Sequence, residues 1–325
     1  MYFSVRMFSD YHNNINNSIQ IFLDELNDSK IYDPIKYFLK LPSKRIRPIS
    51  TLISSNLFNN DIEFALPASL ANEVFHNFTL IHDDIMDSSK IRRGKETVHI
   101  KWNLNQAILS GDSMLILSYK LFESYSDDIQ KKLLQLFNDT ALLICEGQQM
   151  DMDFENQTDV NYESYIKMIK YKTAVLLGSS MQMGAIINNV NQIDSKLLYE
   201  CGINLGLAFQ IQDDYLDLFG DQEIIGKKVG GDVIENKKTI LYHMCFAKSS
   251  NDQKSLLNEI YKSDDSNKVE KAKKLFVETN ADQVALNLVK KYSDLAIKSI
   301  NDLDVNQSKK QELIDLSQFL LTRKF

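Results

Sequence analysis

No proline follows Pro67 in a chain of 325 residues; all four prolines, Pro34, Pro42, Pro48 and Pro67, stand in its first fifth. Proline breaks helices and marks turns, so the remaining length is free to run in long helices. Glycine is sparse as well, at 11 residues. A β-sandwich, a doubly wound sheet or an eightfold barrel recruits turn residues at every junction, which disfavours those classes. Hydrophobic residues at 44% and charged residues at 25% are ordinary values that exclude disorder. Apolar residues recur at three- and four-residue spacing, as in Leu133, Leu134, Leu136, Phe137, Leu142, Leu143 and Ile144, and again in Leu205, Leu207, Ala208, Ile211, Leu216 and Leu218. Such wide apolar arcs predict packed helices in a bundle, hence an all-α fold in one domain spanning 1–325.

A net charge of −7 argues against nucleic-acid binding, which depends on neutralising phosphates. Cys145, Cys201 and Cys245 are an odd number without CxxC spacing, so neither a disulfide framework nor a zinc site is expected. With no leader pattern in the first ten residues and no run of about 18 apolar residues, a cytoplasmic protein without a transmembrane segment is expected. Two loops stand out. Segment 87–95 carries Ser88, Ser89, Arg92, Arg93 and Gly94, and segment 220–238 holds Gly220, Gly226, Gly230 and Gly231. Segment 248–274 is polar and reads as solvated surface.

The chemistry is concentrated in two copies of one pattern, Asp83-Asp84-Ile85-Met86-Asp87 and Asp213-Asp214-Tyr215-Leu216-Asp217, each preceded by an apolar stretch. Residues four apart share a helix face, so Asp83 sits over Asp87 and Asp213 over Asp217. Six carboxylates inside a bundle repel each other and resist desolvation unless a cation joins them. Mg²⁺ binds through one or two carboxylates, waters and substrate phosphates, which suits a ladder on each side of a metal–diphosphate bridge. Cations that could meet such phosphates are Lys44, Arg45 and Arg47, then Arg92 and Arg93, and further on Lys172, Lys227 and Lys237.

These residues resemble the trans-isoprenyl diphosphate synthases, the polyprenyl synthetase family, from Lys44 to Lys238. The resemblance rests on KRIRP at 44–48, HNFTLIHDDIMD at 76–87, RRG at 92–94, GDSML at 111–115, EGQQMDMDFE at 146–155, KT at 172–173, FQIQDDYLD at 209–217, and GKKVGGD with a following KKT at 226–239. It implies a helical bundle around a deep central cleft. The implied reaction is head-to-tail 1′-4 condensation of isopentenyl diphosphate with an allylic diphosphate, by a homodimer. It further implies three Mg²⁺ per site, with Mn²⁺ as a substitute. Asp83, Asp87 and Asp213 would ligate metal, Asp217 would ligate or support, Asp84 would support, and Asp214 would belong to the catalytic set. Arg92, Lys172, Thr173, Gln210 and Lys227 would face the allylic diphosphate, and Lys237 would be a further substrate-binding residue. Lys44, Arg47, His76 and Arg93 would hold the diphosphate of isopentenyl diphosphate. One departure is Pro42-Ser43, where many relatives have Gly-Gly. The basic end, Thr322-Arg323-Lys324-Phe325, would fold over the isopentenyl site as in some relatives.

Product length in such enzymes is set where the growing tail meets bulk. The residues four and five before the first aspartate are Thr79 and Phe78, with Phe75 one turn earlier. One aromatic at the fifth position and none at the fourth resembles enzymes that stop at geranylgeranyl rather than farnesyl diphosphate. Two other readings remain. A terpene cyclase shares the fold, but carries an Asn/Ser/Glu motif on the second helix and lacks the Lys44, Arg47 and His76 cluster. A non-catalytic subunit of a heteromeric synthase would have lost a ladder, and both are intact.

Overall fold

Prolines and caps set many of the helix starts. Pro34 and Pro67 sit in the first turns of helices Asp33–Leu39 and Leu66–Met86, where a backbone N–H has no partner to lose. Asn103, Asn161 and Ser250 cap Leu104–Lys120, Tyr162–Ile169 and Asn251–Lys262 by accepting from backbone N–H groups. The computed structural model describes residues 8–157, 160–221 and 229–321. Its main helices are α1 (Ser9–Glu25), α2 (Asp33–Leu39), α3 (Ile46–Asn56), α4 (Leu66–Met86), α5 (Leu104–Lys120), α6 (Asp127–Asn156), α7 (Tyr162–Ile169), α8 (Val175–Ile187), α9 (Gln192–Phe219), α10 (Ile240–Lys248), α11 (Asn251–Lys262), α12 (Lys268–Glu278), α13 (Ala281–Asn301) and α14 (Gln307–Leu321). The fold is all-α, as the periodicity predicts. Leu142 departs from that reading, being 65% exposed, whereas Leu133, Phe137 and Ile144 of the same helix are buried.

The described residues group into two compact units. One is drawn from Met1–Asn138, Ser179–Leu198 and Asp304–Leu313, the other from Asp139–Gly178, Tyr199–Leu303 and Ile314–Phe325. In the first unit α4 packs against α1, α3 and α5 and buries residues around its whole circumference, from Ala68 to Asp84. Phe75 lies at the centre of an aromatic cluster, with ring centroids 4.8 Å from Phe137 and 5.6 Å from Phe78. In the second unit α10 packs against α7 and α13, and α11 against α12. No helix among the described residues is long and apolar enough to cross a membrane.

Segment 87–95, read as a loop, contains a small hairpin of β1 (Ile91–Arg92) and β2 (Lys95–Glu96), pairing Ile91 with Glu96 and Arg92 with Lys95. Arg93 and Gly94 form its two-residue turn at φ 54° and 75°. Two consecutive positive φ values define the type I′ turn that matches strand twist, which accounts for the glycine after the paired arginines. Two-residue strands are too short to show alternation, so periodicity does not reveal them.

Candidate active site

The end of α4 sorts the first acidic motif by direction. Asp83 is half-exposed, Asp87 is exposed at the C-cap, and Asp84 between them is fully buried. Asp84 turns to the hairpin, where its Oδ1 accepts from Arg92 Nε at 2.9 Å and from an Arg92 terminal nitrogen at 2.6 Å. Burial pushes the Asp84 carboxyl above the usual carboxylate range, and the Arg92 fork pulls it back. The other oxygen, Oδ2, is buried with no hydrogen-bond partner among the described residues.

Two turns upstream in the same unit lies a set of cations. Arg47 Nη1 donates to His76 Nε2 at 3.0 Å. A guanidinium only donates, so His76 accepts at Nε2 and carries its proton on Nδ1. Burial, then Arg47, Arg93, Arg92 and Arg45, hold His76 well below the ordinary imidazole range, so it is neutral. Burial also lowers Arg47 to about 10, against the pull of Glu73, and lowers Arg93. Arg47 Nε is buried without a hydrogen-bond partner among the described residues. Arg93 reaches Asn77 Oδ1 at 3.4 Å, while Lys44 is exposed just before α3. Arg45, between the two expected ligands, points elsewhere. Its backbone is left-handed at φ 50°, and its guanidinium is buried on Glu73 Oε1 and the Leu39 carbonyl, each at 2.5 Å.

In the second unit the same sorting recurs at the end of α9. Asp213 and Asp217 are half-buried and Asp214 is buried. Asp214 accepts from the Tyr165 hydroxyl, from Gln210 Nε2 at 3.0 Å and from the Ile240 N–H at 3.4 Å. Burial raises its carboxyl to about 7, with Asp232 adding to the rise and the Tyr165 and Gln210 hydrogen bonds opposing it. Gln210 Oε1 in turn accepts from Thr173 at 3.3 Å. Asp217 Oδ2 accepts the Asp232 N–H at 3.0 Å, and its carbonyl accepts the Gly230 N–H at 2.7 Å.

Thr173 and Lys172 lie on a turn of π-helix, Lys170–Ala174, an uncommon element often found at functional positions. Gly147 of the EGQQ segment makes room for it, since a Cβ there would stand 2.4 Å from the Lys172 nitrogen. Lys172 Nζ bonds Asp151 Oδ2 at 2.5 Å. Lys237, expected at the diphosphate, has a side chain 59% exposed and pairs with Glu235 at 2.9 Å, whereas neighbouring Lys238 donates to the Phe154 and Gln157 carbonyls. Phe78 is half-buried against Phe75 and His82, Phe75 is 2% exposed, and the Thr79 hydroxyl is bonded to the His76 carbonyl at 2.8 Å. Lys227, Gly226 and the 322–325 tail lie outside the described residues.

Sequence reasoning missed Glu73, Asn77, Tyr165 and Asp151, which hold the expected residues in place. The signal for Glu73 and Asn77 was available, since polar residues at i, i+4 in an apolar helix call for partners. Nothing local marks Tyr165.

The sequence and the fold are shared with known proteins. The family model for polyprenyl synthetase matches residues 28–279. A geranylgeranyl diphosphate synthase of Saccharolobus solfataricus is 39% identical, over 98% of this chain and 97% of that protein. A short chain isoprenyl diphosphate synthase of Methanocaldococcus jannaschii is 40% identical, over 76% of this chain and 75% of that protein. Among solved structures, a geranylgeranyl pyrophosphate synthase superposes with a TM-score of 0.90 at 42% identity, covering 100% of both chains. A geranylgeranyl pyrophosphate synthetase from Pyrococcus horikoshii gives 0.92 at 30% identity, covering 98% of each. On these grounds the chain belongs to the polyprenyl synthetase family.

Proposed function

We propose that this protein is a Mg²⁺-dependent prenyltransferase that condenses isopentenyl diphosphate head-to-tail with allylic diphosphates and releases geranylgeranyl diphosphate. The observation that carries this reading is the half-buried Arg47–His76 pair with Arg93 beside it, a cationic site two helical turns from an outward acidic pair. Such a site favours a multivalent anion, since each added negative charge relieves repulsion among the arginines. The sequence relatives named geranylgeranyl diphosphate synthases support the product.

The donor set fits Mg²⁺. Asp83 with Asp87, and Asp213 with Asp217, offer hard carboxylate oxygens one helical turn apart. Among the described residues no three His, Cys, Asp or Glu side chains cluster tightly enough to form a metal cage. Two carboxylates completed by substrate phosphate is the usual arrangement for this ion. When bound, the metal supplies charge stabilisation for the departing diphosphate.

The chain's own residues do the rest. Neutral His76 orients the Arg47 guanidinium towards the isopentenyl diphosphate, with Lys44 and Arg93 adding charge. Asp84 anchors Arg92, and Asp151 steers Lys172 towards the allylic diphosphate. Thr173 and Gln210 tie the π-turn to Asp214. Phe78, backed by the packed Phe75, stops the growing chain. The exposed apolar face of α5, Leu104, Ile108, Leu109 and Ile116, supports a homodimer.

The test is labelled isopentenyl diphosphate with five-, ten- and fifteen-carbon primers, followed by chain-length analysis. Twenty-carbon product from all three is expected, and Phe78→Ala should lengthen it. Hydrocarbon formed from an allylic diphosphate alone would instead identify a cyclase.

A further inference from the structure

Arg45 is only one link in a longer chain of hydrogen bonds that starts in α1. His12 Nε2 is 3.0 Å from the Ser43 carbonyl. A carbonyl can only accept, so His12 carries its proton on Nε2. Its Nδ1 then accepts from Asn16 Nδ2 at 2.9 Å. Asn16 Oδ1 accepts from Arg45 Nε at 3.4 Å. Arg45 bonds Glu73, whose Oε1 also accepts from Asn77 Nδ2 at 2.8 Å, and Asn77 Oδ1 accepts from Arg93. The Ser43 hydroxyl adds a bond from the Arg45 N–H at 3.3 Å. Every link lies in the first unit, and each side chain has its donors and acceptors matched in direction.

The loop held this way is irregular. Pro42 lacks an N–H, and Arg45 adopts a left-handed φ of 50°, which a non-glycine residue keeps only when its surroundings enforce it. The enforcement comes from two sides. Glu73 and Leu39 fix the Arg45 head, and His12 fixes the Ser43 carbonyl. A cavity of about 280 Å³ lined by His12, Asn16, Ser43 and Arg45 adjoins the loop, so little packing supports it there. Without the His12 bond the Ser43 carbonyl would lose its contact to α1, which would then reach the loop through the longer Asn16–Arg45 bond.

We propose that His12 is a positioning residue for the isopentenyl diphosphate site. It never touches substrate; it orders loop 42–45 so that Lys44 and Arg47, on either side of Arg45, converge on one diphosphate. The inference rests on the proposed condensing activity for its kinetic part, and on hydrogen bonding alone for its structural part.

The experiment compares wild type, His12→Ala and His12→Gln, because a glutamine amide can replace the Nε2–H donor. With a saturating allylic primer, His12→Ala should raise KM for isopentenyl diphosphate about five- to tenfold, the loss of one directed hydrogen bond. It should leave KM for the primer within about twofold, and His12→Gln should restore most of the difference. Amide hydrogen exchange, read without substrate, should quicken at 43–47 in His12→Ala and slow again in His12→Gln. Equal rises in both KM values, no rescue by glutamine, or unchanged exchange at 43–47 would each overturn the proposal. A wild-type protein that makes no condensation product would overturn the functional reading instead, while the exchange data would still decide whether His12 orders the loop.

Discussion

Asp84 and Asp214 hold the same place in two copies of one motif, and both are buried, yet they are stabilised in opposite ways. Asp84 receives the fork of a cation, Arg92, and its other oxygen has no partner among the described residues. Asp214 receives neutral donors from Tyr165, Gln210 and the Ile240 backbone. Burial raises both carboxyls; a counter-charge opposes it at Asp84 and neutral donors oppose it at Asp214, which rises to about 7. The helix period alone sets which aspartates point outward; the fold around each helix end decides how the inward one is neutralised.

The largest expected effect tests whether the outward carboxylates are equivalent despite this difference. Asp83→Asn and Asp213→Asn should each lower kcat/KM about a thousandfold, or ~4 kcal/mol, with unchanged far-ultraviolet circular dichroism. A large loss at one position only would show that the two motifs divide the work unequally.

The inward pair should separate in stability. Arg92→Met strands the buried Asp84 carboxylate and should cost about 3 kcal/mol in denaturant unfolding, the low end for a broken buried pair because Arg92 is partly exposed. Tyr165→Phe removes one of three neutral donors and should cost about 1–2 kcal/mol. Equal costs would break the comparison.

Between these two lies a pH effect. His243 packs at a tilt against Tyr165 with centroids 5.0 Å apart, and burial lowers it to about 4. The unfolded chain binds this proton below about 6.5 and the folded chain only below about 4, so stability falls as pH drops through that window. The loss attributable to His243 is on the order of 2–3 kcal/mol by pH 4. It appears as the difference between wild-type and His243→Asn melting curves recorded from pH 7 to 4, which separates it from His76, shifted in the same direction. Coincident curves would mean that His243 is not held neutral by the second unit.

Much of the site was legible because its residues are adjacent in sequence. Asp83 with Asp87, Lys172 with Thr173 and Arg92 with Arg93 each follow from a motif a few residues long. Lys237 shows the limit of such reading: next to Lys238 in a run of two lysines, it pairs with Glu235 at the surface while its neighbour turns inward. Arg45 shows the same limit, since its left-handed backbone sends it to Glu73 although Lys44 and Arg47 flank it. Where Arg45 turns depends on one backbone torsion and one distant partner, and neither is written locally.

The chain's order of residues alone determined the helices, the family and the face on which each aspartate lies, because proline spacing, apolar period and i, i+4 geometry are short-range properties. Only the tertiary structure decided that Arg92 neutralises Asp84, that Tyr165 protects Asp214, and that His12 holds the Ser43 carbonyl. Those partners stand between 8 and 49 residues apart, and burial, which makes each of them matter, is a property of the packed molecule.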